Sequence, residues 1–242
     1  MLGADPWHAG PGWRARIGVM LQETSPEPDL TVGECLRLYG GYYPDPWSAG
    51  DLLELTGLDA QASKRATQLS GGQRLKLDLA LALTGRPEVL FLDEPTTGFD
   101  PAARHEAWDV IAALKDTGTT ITLTTHYMEE AERLADRVAV IIAGTLVTQG
   151  PPASLAARRA TPAITFTLPA GIPADDLPEP VPDAASSTTA GKVTPTAQSP
   201  LPMLRIIADW AGLDLPDLEV RRPTLEDAYL QLTSDQEAQA TP

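Results

Sequence analysis

Short apolar runs alternate, over the first part of the chain, with longer stretches whose apolar positions repeat at helical spacing. Ile17 to Leu21, Val89 to Leu92, Thr119 to Thr125 and Val138 to Ile142 are brief, apolar or β-branched and flanked by turn residues, which predicts strands, the last of them buried and followed by a hairpin at Gly144 with Leu146-Val147. Between the first two, Thr31-Val-Gly-Glu34 forms a capping box that opens a helix through Cys35, Leu36, Leu38 and Tyr39. Ala49 to Thr56 resumes helix until Gly57, Asp59 to Thr67 reads as a short charged helix, and Gln73 to Thr84 sets Leu75, Leu77, Leu79, Leu81 and Leu83 among alanines. Pro101 to Leu114 predicts a helix with Ala107, Val110, Ile111 and Leu114 on one side, and Met128 to Leu134 an acidic one with Glu129, Glu130 and Glu132. Strands alternating with helices of this length imply an α/β fold with a mostly parallel sheet.

The pattern changes beyond Pro151-Pro152. A short helix at 151–157 and a strand at 163–168 precede a proline-rich stretch, residues 169–200, that carries little periodicity. Leu204 to Ala211 is helical, Leu218 to Arg221 strand-like, and a terminal helix follows Pro223 with Leu225, Ala228, Tyr229 and Leu230 as its apolar face. The expected division is a core at 1–150, with a helical subdomain at 24–85, and a small α+β accessory region at 151–242.

Composition narrows the classes of partner. Acidic residues outnumber basic ones, 33 to 18, for a net charge of −15, which argues against a sequence-independent grip on nucleic acid. A single cysteine, Cys35, excludes an internal disulfide and is expected to be a small buried hydrophobe. No run of 18 apolar residues occurs, so attachment to a membrane would come through a partner.

Candidate chemistry gathers where the strands end. Asp93 and Glu94 leave the second strand together and, being adjacent, cannot point the same way. One can face a metal ion held by phosphate oxygens while the other faces a water, as phosphate-anhydride hydrolysis requires. His126 closes the next strand and falls on the same sheet edge. Upstream, Ser70 can cap the leucine-rich helix, and Gly71 and Gly72 let backbone amides approach an anion. Taken singly, each feature also has a plain structural reading: a solvated strand exit, a hydrogen-bonded histidine, an ordinary turn.

Together, and in this order, Leu69-Ser-Gly-Gly-Gln73, Val89-Leu-Phe-Leu-Asp-Glu-Pro95, Asp100 and His126 resemble the signature, Walker B, dimer-contact and switch-histidine motifs of the ATP-binding subunits of ABC transporters, drug-export type. Arg16-Ile-Gly-Val-Met-Leu-Gln22 is similar to the strand that ends in that family's metal- and water-contacting glutamine. The resemblance implies a P-loop NTPase-like core, ATP and Mg²⁺ as cofactors, Asp93 and Gln22 at the metal, and Glu94, His126 and Gln22 as catalytic residues. It further implies that Ser70, Gly71, Gly72, Gln73 and Asp100 bind nucleotide, the signature reaching that of a second ATP-binding subunit, identical or not. An integral membrane permease would be the other partner, docked near Gln22 and the helical subdomain, which sets the protein at the cytoplasmic face of the membrane.

A Walker A loop needs Lys followed by Ser or Thr, and Lys64, Lys76, Lys115 and Lys192 are not so followed. Residues 1–15, rich in Gly and Pro, read as loop. The expectation is therefore an N-terminally truncated ABC ATPase whose true start lies upstream and whose ATP use is impaired, with exporter cargo of drug or hydrophobic type. The alternatives are a signature-donating or regulatory subunit and a soluble ABC ATPase outside transport.

Overall fold

Three strands, β1 (Ile17–Met20), β2 (Val89–Asp93) and β3 (Thr120–Thr124), lie side by side in that order in a computed structural model of the chain. All are parallel, with Met20 beside Leu92 and Asp93 beside Thr124. Parallel neighbours require crossovers. The first carries α2 (Val32–Gly40), α3 (Ala49–Thr56) and α4 (Gly71–Leu83); the second carries α5 (Pro101–Lys115), and α6 (Met128–Leu134) follows β3. Residues 1–22, 26–115, 118–159, 162–167, 192–193, 200–211 and 217–240 are described.

These elements form one compact unit, Met1–Leu134, and the remainder, Ala135–Pro242, forms a second. The division falls ahead of the boundary expected after residue 150, so the two strands that follow α6 belong to the second unit.

The first unit's core lies between the sheet and the helices. Met20, Leu90 and Leu92 meet Leu77, Leu79 and Leu83 of α4 and Trp108, Ile111 and Leu114 of α5 in one buried cluster. Leu75, Leu77, Leu79 and Leu83 are buried although they alternate along a helix, because α4 is packed on several sides, by β1, α2, α3 and α5. A methyl group at Gly18 would run into the Ala82 carbonyl oxygen, so the bare backbone there is what lets β1 approach α4. At the amino ends of β1 and β2, Arg16 holds Glu88 through Nε and, at 2.8 Å, through Nη2.

Local signals settle most helix ends. The Thr31–Glu34 capping box forms, with Glu34 Oε2 accepting from both the backbone and hydroxyl of Thr31. Gly57 ends α3 in the left-handed conformation at φ 65°.

Three expectations are corrected. Residues 59–67 form two 3-10 turns, Asp59–Gln61 and Ala66–Gln68, because the backbone of Ala62, Lys64 and Ala66 is bonded to Gly33, Val32 and Leu30. Residues 1–15 are not simply loop: Asp5 caps a 3-10 turn at Pro6–His8, and Pro11 opens α1 (Pro11–Arg14). The run from Val138 is no buried strand of the parallel sheet. The hairpin expected at Gly144 does form: β4 (Val138–Ile142) pairs antiparallel with β5 (Thr145–Gly150), Ala143 and Gly144 turning at positive φ, and it is the burial that fails, Ile141 being 65% exposed.

In the second unit, β6 (Ala163–Thr167) is flanked by β7 (Lys192–Val193) and β8 (Glu219–Arg221). Of the helices in this unit, α8 (Pro200–Ala211) packs on β6, while α7 (Pro152–Arg159) packs on α9 (Leu225–Ala240) and on β5. Ile164, Phe166, Ile207, Leu155, Ala156, Leu225, Ala228 and Leu232 are among its buried residues. The face of α9 thus runs through 225, 228 and 232, and Leu230, expected on it, is 56% exposed. Apart from Lys192–Val193 and Pro200, the proline-rich stretch lies outside the described residues.

Candidate functional site

The register of the parallel sheet delivers Gln22, Asp93, Glu94 and His126 to one edge, since each follows or ends a strand paired with its neighbour. Glu94 stands at φ 47°, a left-handed conformation rare outside glycine and costly enough to be found mostly where a site demands it. Its amide donates to Thr124, to the carbonyl oxygen at 3.1 Å and to Oγ1 at 3.2 Å, which fixes the turn against β3.

Three groups converge on Glu94 Oε2. Thr97 Oγ1 donates to it at 2.9 Å, Gln22 Nε2 donates at 3.4 Å, and His126 Nδ1 lies 3.4 Å away. The His126 ring in turn rests on Tyr127, 4.1 Å between centroids. Asp93 turns elsewhere, as adjacency required, and accepts from the Thr124 hydroxyl. One threonine therefore orients both acids, the first through its carboxylate and the second through its backbone.

Asp93 fits a magnesium site in the chemistry it offers: an exposed oxygen donor at a strand end, held by one hydroxyl. Magnesium bound with phosphate takes one or two carboxylates and keeps several waters. A denser set is not required, and none of three or more His, Cys, Asp or Glu occurs among the described residues.

The second constellation opens α4. Ser70 Oγ accepts from the Gln73 amide at 3.3 Å and Gln73 Oε1 from the Ser70 amide at 3.2 Å, so Gln73 serves as half of a capping box. The box leaves the amides of Gly71 and Gly72 in the first turn, at the positive end of a helix of 13 residues. No atom of the chain lies within 4 Å of where a Cβ at Gly71 would stand, and at Gly72 the nearest is Ala103 Cβ at 3.9 Å. The chain's own packing thus does not demand glycine here, and the bare backbone leaves the amides open to close approach by an anion.

These residues line a pocket of about 570 Å³ together with Lys76 and Asp100. Asp100 Oδ1 accepts from the Ala103 amide at 3.0 Å, making it the cap of α5 as well. Gln22, Asp93, Glu94 and His126 are not among the lining residues. The sequence-predicted residues thus fall into two groups, joined by the loop from Glu94 to Asp100.

Sequence reasoning missed Thr97, Thr124 as the orienting hydroxyl, and Lys76, which lies 3.4 Å from Glu106 at the pocket wall. Thr124 lies inside the β-branched run Thr119 to Thr125, and its place opposite Asp93 follows once the two strands are paired in register.

The family described as ABC transporter matches residues 4–97. The daunorubicin resistance ATP-binding protein DrrA3 of Streptomyces coeruleorubidus is 36% identical over 92% of this chain and 73% of its own length. A Nod factor export ATP-binding protein I of Paraburkholderia xenovorans is 46% identical over 60% of this chain, which spans about half, 49%, of that relative. Among solved structures, an ATP-binding subunit of an ABC transporter aligns at TM-score 0.55 with 24% identity, over 65% of this chain and 68% of its own. A dimeric ATP-binding cassette in a post-hydrolysis state, bound to ADP and phosphate, aligns at 0.52 with 24% identity, over 62% and 68%. These two carry the fold.

The family match overturns one expectation. It begins at residue 4 and takes the N-terminal segment, with its capped turn and short helix, into the ATPase domain. The reading of the fold as N-terminally truncated, lacking a Walker A region and impaired in ATP use on that account, is therefore withdrawn. Identity sustained over 73% of the daunorubicin resistance protein, with the family match inside it, settles the assignment: this chain belongs to the ATP-binding proteins of ABC transporters and is an ABC-type ATPase.

Proposed function

We propose that the chain is the ATP-hydrolysing subunit of an exporter, and that the Glu94 cluster is where hydrolysis occurs. The convergence of Gln22, Thr97 and His126 on one carboxylate oxygen carries the reading. Glu94 accepts a hydrogen bond from the attacking water, and the left-handed turn at its backbone fixes the direction of that acceptor. Gln22 and His126, each 3.4 Å from Glu94 Oε2, hold the polar groups that bound the water and the terminal phosphate. Asp93 would hold magnesium, which offsets charge on the phosphate oxygens.

Ser70, Gly71 and Gly72 bind phosphate through the first turn of α4, and Asp100 borders the same pocket. Because this pocket and the Glu94 cluster are separate sets of residues, a complete site draws one set from each of two copies, or of two related subunits, arranged head to tail. The path across the membrane is provided by a membrane-spanning permease; among the described residues no helix is long and apolar enough to cross one. Tyr42, exposed just after α2, borders the surface proposed to meet it. Relatives named for daunorubicin resistance and Nod factor export support amphipathic or hydrophobic cargo.

Steady-state phosphate release with Mg-ATP tests the reading. Turnover abolished by Glu94→Gln supports it, and turnover indifferent to that change removes Glu94 from the chemistry. Capture of a permease from detergent extract supports the exporter role, whereas recovery with ribosomes and no permease moves the protein to a soluble ABC ATPase.

A further inference from the structure

Glu130 is fully buried on α6, four residues beyond His126. Its Oε1 accepts two hydrogen bonds, from Thr96 Oγ1 and from Trp108 Nε1, both at 2.8 Å, and both donors' residues are fully buried too. Its Oε2 is buried with no hydrogen-bond partner among the described residues. Burying a carboxyl group with one oxygen unmatched costs stability, and apolar side chains of similar volume would fill this space with less penalty. Stability does not account for the acid, whereas its connections do.

Thr96 lies in the loop from Glu94 to Asp100. Directly after it Thr97 donates to Glu94 Oε2, and two residues further on the Phe99 amide donates to the Thr96 carbonyl oxygen at 3.3 Å. Trp108 stands on α5, the helix that Asp100 caps. The carboxyl thus ties three things at one atom: the loop that carries Glu94 and Asp100, the helix behind it, and the helix that follows His126. A second tie runs parallel, since Arg104 of α5 lies 3.9 Å over the Tyr127 ring and donates to the Phe99 carbonyl oxygen at 3.4 Å.

We propose that Glu130 is a positioning residue for ATP hydrolysis, a buried carboxyl that sets the path of the Glu94–Asp100 loop against the His126 segment through Thr96 and Trp108. The inference rests on the reading of Glu94 as the hydrolytic carboxylate. Glu130 touches no substrate; it acts through the loop.

Two variants of the full chain decide it. Glu130→Gln keeps a carbonyl oxygen for both donors and is expected to retain turnover within about threefold. The combined Thr96→Val, Trp108→Phe, Glu130→Met replaces the whole cluster by apolar groups, so no donor is orphaned, and a cooperative melt is expected to persist, lowered by the smaller ring at 108. Its kcat is expected to fall about tenfold to a hundredfold with KM for ATP little changed, the signature of displaced reacting groups. Hydrogen exchange of residues 96–100 and 126–127 is the readout that needs no turnover: faster in the triple variant, unchanged in Glu130→Gln. Parent-like kcat and exchange in a stably folded triple variant would overturn the proposal. A parent chain without ATPase activity would instead count against the proposed function, and the exchange comparison would still decide whether Glu130 positions the loop.

Discussion

His126 Nδ1 lies 3.4 Å from Glu94 Oε2, although the two residues leave different strands. The pairing of Asp93 with Thr124 sets the distance, because parallel strands in register end together and release their next residues over the same edge. The left-handed turn at Glu94 then brings its side chain back toward Gln22 and His126 rather than along the strand.

Glu94→Gln keeps the size and one acceptor of this side chain but not its charge. Turnover is expected to fall about a hundredfold or more, the scale of a lost general base, while ATP binding persists. His126→Ala is expected to lower kcat as well. Phosphate release read beside nucleotide titration separates the two effects, and unimpaired kcat in both variants would remove this cluster from the reaction.

Division of the site between two copies makes a sharper demand. Gly71→Asp puts a carboxylate where a Cβ meets only open space, so the fold is expected to survive while the α4 terminus repels phosphate. Alone, Gly71→Asp and Glu94→Gln should each be inactive. Mixed, they should regain part of the parent rate, because one site in each hybrid joins an intact signature to an intact Glu94. Absence of recovery when hybrids demonstrably form would exclude sharing between copies.

Much of this site is legible along the chain because its pieces are local. The Ser70–Gln73 and Thr31–Glu34 boxes and the Asp93-Glu94 pair each lie within a few residues, where helix or strand geometry alone decides which side chains meet and which part. The links from Thr97 to Glu94 and from Thr96 to Glu130 span different ranges, and the second joins residues 34 apart. No periodicity announces such a contact. Glu130 reads as one acid among three on an exposed helix, and only the packing of α6 on α5 buries it. The run at Val138 misled for a related reason: four β-branched residues indicate a strand, but not whether neighbours cover one face or both.

Cys35 is fully buried on α2, and burial pushes its thiol up from the usual range. The thiolate is the reactive form, so both access and chemistry protect it. Labelling by a maleimide or disulfide reagent at neutral pH is expected to be negligible in the native chain and complete in denaturant. Rapid labelling without loss of the cooperative melt would show that α2 opens locally.

Glu88 provides a test of stability against pH. The hydrogen bonds and charge of Arg16 hold its carboxyl below the usual carboxylate range, and the same contact raises the guanidinium. The folded value lies below the unfolded one, about 4.3, so the stabilisation is fully present above that pH and is lost as pH falls through the depressed folded value. Both partners are largely exposed, so the effect is small and screened by salt. Glu88→Gln is expected to lower the melting temperature slightly at neutral pH and low salt, with the gap to the parent narrowing at high salt and closing near pH 2, where about all such carboxylates are protonated. A gap of constant size from neutral to acid pH would instead assign the loss to the backbone at this point, where the Glu88 amide donates to the Arg16 carbonyl oxygen at 2.9 Å and the Glu88 carbonyl oxygen accepts from Thr120 at 2.9 Å.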